Sequence, residues 1–128
     1  MRHLPRKPIK WMGSSKKDLD GMPEDVKDFF GFAIDVAQTG AKHAEAKPLK
    51  GFGSAGILEV VESDEGGTYR AVYTVKLAGW IYVLHCFQKK STKGIETSKP
   101  DMDLIKSRLS AAQQDHAEWL KQAKGARK

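Results

Sequence analysis

Apolar residues recur at helical spacing in the first third of the chain and predict one amphipathic helix there. Its buried stripe would consist of Val26, Phe29, Phe30, Ala33 and Ala37. Pro23 suits the first turn of this helix, and Thr39-Gly40 would end it. The short run from Pro8 to Gly13 comes earlier and predicts a first strand.

The middle of the chain changes from helical spacing to strand-like runs. Residues 42–56 contain Pro48 and three glycines, which is typical of an irregular connector. Three runs rich in Val, Ile, Tyr, Trp and Phe follow, at 57–62, 68–77 and 80–88. Because the links between these runs are of hairpin length, they predict an antiparallel meander.

A second amphipathic helix is predicted near the C-terminus, from Pro100 to about Lys121. Its apolar face would be formed by Met102, Ile105, Leu109 and Ala112. The order β-α-loop-β-β-β-α favours an α+β fold, with one antiparallel sheet and helices packed against it. We expect residues 1–128 to form a single domain, with flexible basic termini at 1–8 and 122–128.

The balance of charged residues favours binding partners that carry negative charge. The chain has 22 Lys and Arg against 16 Asp and Glu, a net charge of +6. Such a positive field attracts nucleic acid, an acidic membrane surface or an acidic protein. No apolar run reaches the ~20 residues of a spanning helix, and the basic N-terminus has no apolar stretch behind it, so we expect no secretory signal. With a single cysteine, Cys86, no intrachain disulfide can form, and we expect a reducing, cytoplasmic location.

Metal and nucleotide chemistry find little support in the sequence. The four histidines are scattered, and Cys86 has no cysteine partner, so we expect no metal and no cofactor. Residues 51–56 match the pattern GxGxxG, but they precede a predicted strand, whereas a dinucleotide site follows one.

Two charged residues interrupt the predicted strands. Arg70 lies within an apolar run, where an arginine lowers stability unless its guanidinium reaches a partner or water. Glu59 lies on the strand expected to pair with that of Arg70. The two could form a structural salt bridge, or Glu59 could act as a general base. Both interpretations require the residues to be close, and a solvated strand face is a third explanation for Arg70.

The last strand ends in a histidine and several lysines. Strand alternation places His85, Phe87 and Lys89 on one side. His85 could titrate near neutral pH, or it could be a core histidine with one satisfied nitrogen. Lys89 and Lys90 could form a nucleic-acid contact or simply a soluble strand end.

An ordered series of short motifs closely resembles the phage-derived Gp49-like, HigB-type branch of the RelE superfamily of toxins. The match runs from about Trp11 to about Leu120. It rests on the segments 19–26, 31–33, 37–40, 46–51, 58–60, 69–73, 84–90 and 105–109.

The resemblance implies a RelE-like microbial RNase fold, with the site in the concave face of a curved antiparallel sheet. It implies a cognate antitoxin, often a helix-turn-helix protein of the HigA type, and cleavage of messenger RNA on the ribosome. Arg70 matches the family's sheet arginine, the pair Lys89-Lys90 matches its basic strand end, and Glu59 matches an acidic position. Val61 departs from a position that is often basic, and no tyrosine follows Lys90.

RNA cleavage of this kind uses the substrate's 2′-hydroxyl as nucleophile, and it needs a base, an acid and stabilisation of the phosphoryl oxygens. We assign stabilisation to Arg70, with Glu59 as candidate base and His85 or Lys89 as candidate acid. The residues expected to hold RNA phosphates are Lys50, Lys90 and Lys93. Two alternatives remain open: a ParE-like inhibitor of a topoisomerase, and a nuclease-dead module that only binds an antitoxin.

Overall fold

A computed structural model of the chain describes residues 6–89 and 97–126, with side chains as far as Lys124. The elements in chain order are β1 (Ile9–Trp11), α1 (Ser15–Asp20), α2 (Glu24–Gln38), β2 (Lys47–Pro48), β3 (Ile57–Asp64), β4 (Gly67–Thr74), β5 (Ile81–Lys89) and α3 (Lys99–Ala126). The α+β fold predicted from the pattern is confirmed.

The strands form one five-stranded sheet in the order β1-β5-β4-β3-β2. The predicted meander of β3, β4 and β5 is antiparallel, with an irregularity of register at Val72/Tyr73 between β4 and β5. The edge strand β1, however, pairs parallel to β5. The difference arises because α1, α2 and the meander separate these strands in the chain, which gives the long connection that a parallel pair requires.

Two short elements were not predicted. Helix α1 buries only Ser15 and Leu19, so its sequence has no apolar stripe from which a helix could be predicted. Strand β2 pairs Lys47 with Glu59 and Pro48 with Leu58. A two-residue edge strand that contains proline shows no alternation, and its segment therefore resembles a connector.

One face of the sheet, here the α2 face, is covered by α1 and α2. Apolar side chains of the strands pack there against the buried stripe of α2. The strand residues of this core are Leu58, Val60, Tyr69, Ala71, Tyr73, Ile81, Val83 and Cys86, and those of α2 are Val26, Phe30, Ala33, Ile34 and Ala37. Acidic Glu24 and Asp25 occupy the first turn of α2, where they complement the helix dipole.

The opposite face, here the α3 face, is only partly covered. Helix α3 packs its apolar residues against one end of the sheet, where the core consists of Leu49, Ile57, Val72, Tyr82, Leu84, Phe87, Ile105, Leu109 and Ala112. The strand register then defines three rows toward the β3–β4 turn: Glu59–Val72–His85, Val61–Arg70–Phe87 and Ser63–Thr68–Lys89. Charged side chains therefore lie beyond the apolar core of this face.

The two termini have contacts where they are described. Lys7 exchanges hydrogen bonds with Gln38 at the end of α2, and Arg6 forms an ion pair with Asp35. Residues 122–126 continue α3. Residues 1–5 and 127–128 lie outside the described residues. Among the described helices, none combines the length and apolar character needed to cross a membrane.

Candidate active site

Arg70 lies in the central row of the α3 face and pairs with Glu59. The guanidinium Nη1 donates to Glu59 Oε2 at 2.9 Å and to Thr97 Oγ1 at 3.2 Å. The side chain of Arg70 is 5% exposed and that of Glu59 is 16% exposed. Both interpretations of the two residues required this proximity, so the contact alone does not distinguish a structural ion pair from a catalytic one.

This pair faces a cleft of about 570 Å³. Lys50, a predicted RNA-binding residue, lies in its wall. The wall is completed by Glu45, Lys47, Pro48, Leu49, Val61, Thr97 and Met102. Two exposed lysines therefore stand beside a buried arginine and a carboxylate, an arrangement that favours an anionic ligand.

Sequence reasoning missed Lys47. This lysine pairs with Glu59 across the β2–β3 ladder and so lies beside the predicted site. It was missed because the segment from 42 to 56 was predicted to be irregular. The available signal was its place within the motif 46–51 that carries part of the family resemblance.

His85 is buried and has both ring nitrogens engaged. Nε2 lies 2.8 Å from Asp101 Oδ1, and Nδ1 lies 3.4 Å from Arg108 Nη1. Because a guanidinium can only donate, Nδ1 accepts, which assigns the ring proton to Nε2 and makes the ring neutral. Burial lowers the pKa of His85, and the hydrogen bond to Asp101 opposes this effect. The structure thus supports a core histidine more directly than a proton donor facing the cleft.

The basic end of β5 is described only in part. Lys89 lies one row beyond Arg70 on the same face, opposite Thr68. It lines a second groove of about 670 Å³, together with His85, Asp101, Phe87 and Gln88 among others. Phe87 lies opposite Arg70 in the strand ladder and lines this groove but not the first cleft. Lys90 and Lys93 lie outside the described residues.

The single cysteine belongs to the other face. Cys86 is 1% exposed within the α2-face core, and burial raises the pKa of its thiol to about 12. A thiol of this kind is a poor nucleophile at neutral pH. The described residues contain no group of three or more His, Cys, Asp or Glu side chains that could hold a metal ion.

Comparison with known proteins gives this fold a family. Residues 17–110 match the family described as phage-derived protein Gp49-like. The chain belongs to this Gp49-like family. The family predicted from the sequence motifs, the Gp49-like branch of RelE/HigB-type toxins, is thereby confirmed. No curated protein matches the chain.

One of two aligned solved structures supports the fold of this Gp49-like protein. A mutant of the E. coli toxin RelE in the free state aligns with a TM-score of 0.53 and 11% identity, covering 83% of this chain and 97% of that one. The RelBE2 toxin–antitoxin complex of Mycobacterium tuberculosis aligns with a TM-score of 0.41 and 18% identity, covering 70% and 98%. The first of these alignments confirms the RelE-like fold.

Proposed function

We propose that this Gp49-like protein is the toxin of a type II toxin–antitoxin system, and that it cleaves messenger RNA on the ribosome. The observation that carries the proposal is the Arg70–Glu59 pair, which faces a cleft lined by Lys47 and Lys50. A guanidinium beside a carboxylate, flanked by lysines, is suited to bind a phosphodiester and move a proton next to it.

In the proposed reaction, the 2′-hydroxyl of the RNA attacks the adjacent phosphorus, and the bond from phosphorus to the 5′-oxygen breaks. The products are a cyclic phosphate and a free 5′-hydroxyl. Arg70 stabilises the charge that grows on the phosphoryl oxygens, since its planar fork matches them. Loss of one such donor typically lowers the rate by on the order of 100–1,000-fold.

Glu59 is the proposed base. A phosphate that binds Arg70 competes with the carboxylate for the same guanidinium, and this competition frees Glu59 to accept the proton of the 2′-hydroxyl. Lys89 is the proposed acid, because it lies one row beyond Arg70 on the same face of the sheet, whereas both nitrogens of His85 are directed to side chains of α3. Lys50, Lys90 and Lys93 are proposed to hold backbone phosphates.

The proposed partner of the free toxin is a cognate antitoxin, of the helix-turn-helix HigA type, acting in the cytoplasm where the ribosomes are. A net charge of +6 gives the chain a general affinity for RNA that falls steeply as salt rises. The antitoxin is proposed to cover the cleft of Arg70 with an acidic or helical segment. A complex that leaves Arg70 and Lys89 open would contradict this part of the proposal.

The test combines growth with direct cleavage. Expression without an antitoxin should stop protein synthesis first, as measured by pulse labelling, and purified protein should cut messenger RNA on ribosomes. Cleavage should survive chelation of zinc and manganese when magnesium is kept sufficient for the ribosomes. If DNA synthesis stops first, the ParE-like alternative gains support; if neither stops, the binding-module alternative does.

The control is a second arginine that also pairs with a carboxylate. Arg6 binds Asp35 of α2, the helix that covers the opposite face of the sheet from the cleft, and both side chains are about half exposed. Arg6→Ala removes the same charge as Arg70→Ala and should leave toxicity unchanged. Equal loss of toxicity in both variants would show that net charge, not the cleft, determines activity.

A further inference from the structure

The first turn of α3 is attached to strand β5 through one carboxylate. Asp101 Oδ1 lies 2.8 Å from His85 Nε2, and Asp101 Oδ2 accepts from Ser98 Oγ at 2.6 Å. The amide of Asp101 donates back to Ser98 Oγ at 3.4 Å, as expected for a serine at the N-cap position. Both oxygens of Asp101 are therefore used, one for the helix cap and one for the sheet.

A second α3 residue contacts the same histidine from the other side. Arg108 Nη1 donates to the carbonyl of Leu84 at 2.9 Å and lies 3.4 Å from His85 Nδ1. Arg108 Nη2 also donates to Ser14 Oγ at 3.2 Å. His85 is thus held between two residues seven positions apart on α3, and its ring stacks on Phe87 with centroids 4.2 Å apart.

Thr97 connects this attachment to the candidate site. It precedes the cap residue Ser98 directly, and its hydroxyl accepts from Arg70 Nη1 at 3.2 Å. We infer that His85 is a positioning residue: with Asp101 it fixes the start of α3 on β5 and thereby holds Thr97 against the guanidinium of Arg70. The effect on catalysis rests on the proposed function, whereas the attachment of α3 to β5 does not.

An ordinary core position does not explain these contacts. A leucine or phenylalanine would fill the same space without the cost of burying two polar nitrogens. Among the described residues, the hydrogen-bond partners of the two His85 nitrogens are side chains of α3 that lie two turns apart, Asp101 in the first turn and Arg108 further along. What a histidine adds at this position is therefore a pair of hydrogen bonds that fix α3 relative to the sheet.

The experiment compares variants of His85 with a neighbouring control. His85→Phe keeps a ring to stack on Phe87 but removes both nitrogens, and His85→Gln restores a side-chain amide that can donate to Asp101. Asp103→Asn is the control, because Asp103 lies on the same first turns of α3 and binds only the exposed Lys99 among its described contacts. Asp101→Ala tests the same attachment if His85→Phe does not fold.

Amide hydrogen exchange of residues 97–103, measured in the full chain, tests the attachment of α3 to β5 without an activity assay. We expect His85→Phe and Asp101→Ala to speed this exchange by roughly tenfold, while exchange in β3 stays unchanged, since local opening is limited to the attached segment. His85→Gln should recover part of the protection, and Asp103→Asn should match the native chain. Unchanged exchange at 97–103 in both His85→Phe and Asp101→Ala would overturn the inference.

Cleavage then distinguishes positioning from proton donation. A positioning role predicts that His85→Phe lowers kcat by on the order of 10–100-fold with little change in KM, and that His85→Gln recovers part of this loss. A catalytic acid predicts a loss that glutamine does not rescue, with exchange at 97–103 unaffected. If the native protein cleaves no RNA, the proposed function fails, while the exchange result still tests the attachment by itself.

Discussion

The two faces of the sheet are built from alternate residues of the same strands, yet they are stabilised in different ways. Along β4, Tyr69, Ala71 and Tyr73 enter the α2-face core, whereas Arg70 and Val72 point to the α3 face. The α2 face is apolar where α1 and α2 cover it, and Glu62 and Gln88 flank Tyr69 toward the end of the sheet. The α3 face is apolar under α3, and from the row of His85 outward it also holds Glu59, His85 and Arg70, which interact through hydrogen bonds and ion pairs.

The comparison suggests that the α2 face determines the stability of the fold, while the outer rows of the α3 face hold the residues proposed for chemistry. Where helices cover a sheet face, they exclude water from the layer between helix and sheet. Close packing of apolar side chains is then enough to stabilise that face. A partly covered face can keep charged groups, provided that each has a partner. Substitutions on the α2 face should therefore change the free energy of unfolding, and substitutions on the outer rows of the α3 face should change activity.

The largest expected effect is that of Arg70→Ala on cleavage. We expect a fall on the order of 100–1,000-fold and loss of toxicity, while the protein still folds and still binds its antitoxin. Arg70→Lys should also be badly impaired, because an ammonium group cannot reproduce the bidentate fork. Growth assays and cleavage rates measure both.

Thermal melts of the same variants test the alternative, a purely structural pair. In that case Arg70→Ala would lower the free energy of unfolding by about 3–5 kcal/mol, since Glu59 would be left without this partner. Lysine would restore much of the loss, and Glu59→Gln would partly compensate for it. A folded and toxic Arg70→Ala protein would remove Arg70 from the active site.

The next effect concerns the covered face. Phe30→Ala should lower the free energy of unfolding by about 3–5 kcal/mol, because Phe30 is 0% exposed in the α2-face core. Activity per folded molecule should be unchanged. Phe32→Ala is the matched control on the same helix, where the ring is 59% exposed, and its effect should stay within about 0.5 kcal/mol. Denaturant titration measures both, and equal effects would refute the assigned burial.

A smaller effect is the pH dependence contributed by His85. Because burial lowers its pKa in the folded state, the unfolded chain binds a proton more readily as pH falls. This contribution to stability is full above the unfolded pKa of about 6.5 and is lost as pH falls below it. His85→Gln should therefore show a shallower loss of stability between pH 7 and 5 than the native chain. An unchanged slope in His85→Gln would contradict the assignment.

The smallest effect distinguishes two buried tyrosines, one on each face. The hydroxyl of Tyr73 has no hydrogen-bond partner among the described residues, and burial raises the pKa of Tyr73 to about 12. Tyr73→Phe should be neutral or stabilising by up to about 1 kcal/mol. Tyr82 donates to Asp115 at 2.8 Å, so Tyr82→Phe should instead be destabilising by about 1 kcal/mol. Thermal melts compare them, and a clear loss of stability in Tyr73→Phe would reveal a partner for its hydroxyl.

Much of the fold could be predicted from the sequence, because its long elements have strong periodicity. The helix predicted to open at Pro23 and to end at Thr39-Gly40 is α2, and the three strand-like runs are β3, β4 and β5. The proximity of Glu59 and Arg70 followed from the pairing of adjacent strands. Helix α1 and strand β2 could not be predicted, since neither buries enough apolar residues to leave a pattern.

The candidate site was predictable in its residue types but not in its contacts. The family motif around Arg70 predicts a phosphate-binding arginine, and the structure pairs this arginine with Glu59 in a cleft that Lys50 also lines. His85 had two interpretations from the sequence. Its hydrogen bonds to Asp101 and Arg108 depend on where α3 crosses β5, which no local pattern in either segment specifies.

The sequence by itself determined the α+β class, the antiparallel meander and the family, because these depend on hydrophobic periodicity and on the order of short motifs along the chain. Tertiary structure alone decided the parallel pairing of β1, the place of Lys47 beside Glu59 and the engagement of both nitrogens of His85. The physical reason is separation in the chain. Each of these contacts joins segments whose local preferences are satisfied equally well without it, so only the packing of the whole domain selects it.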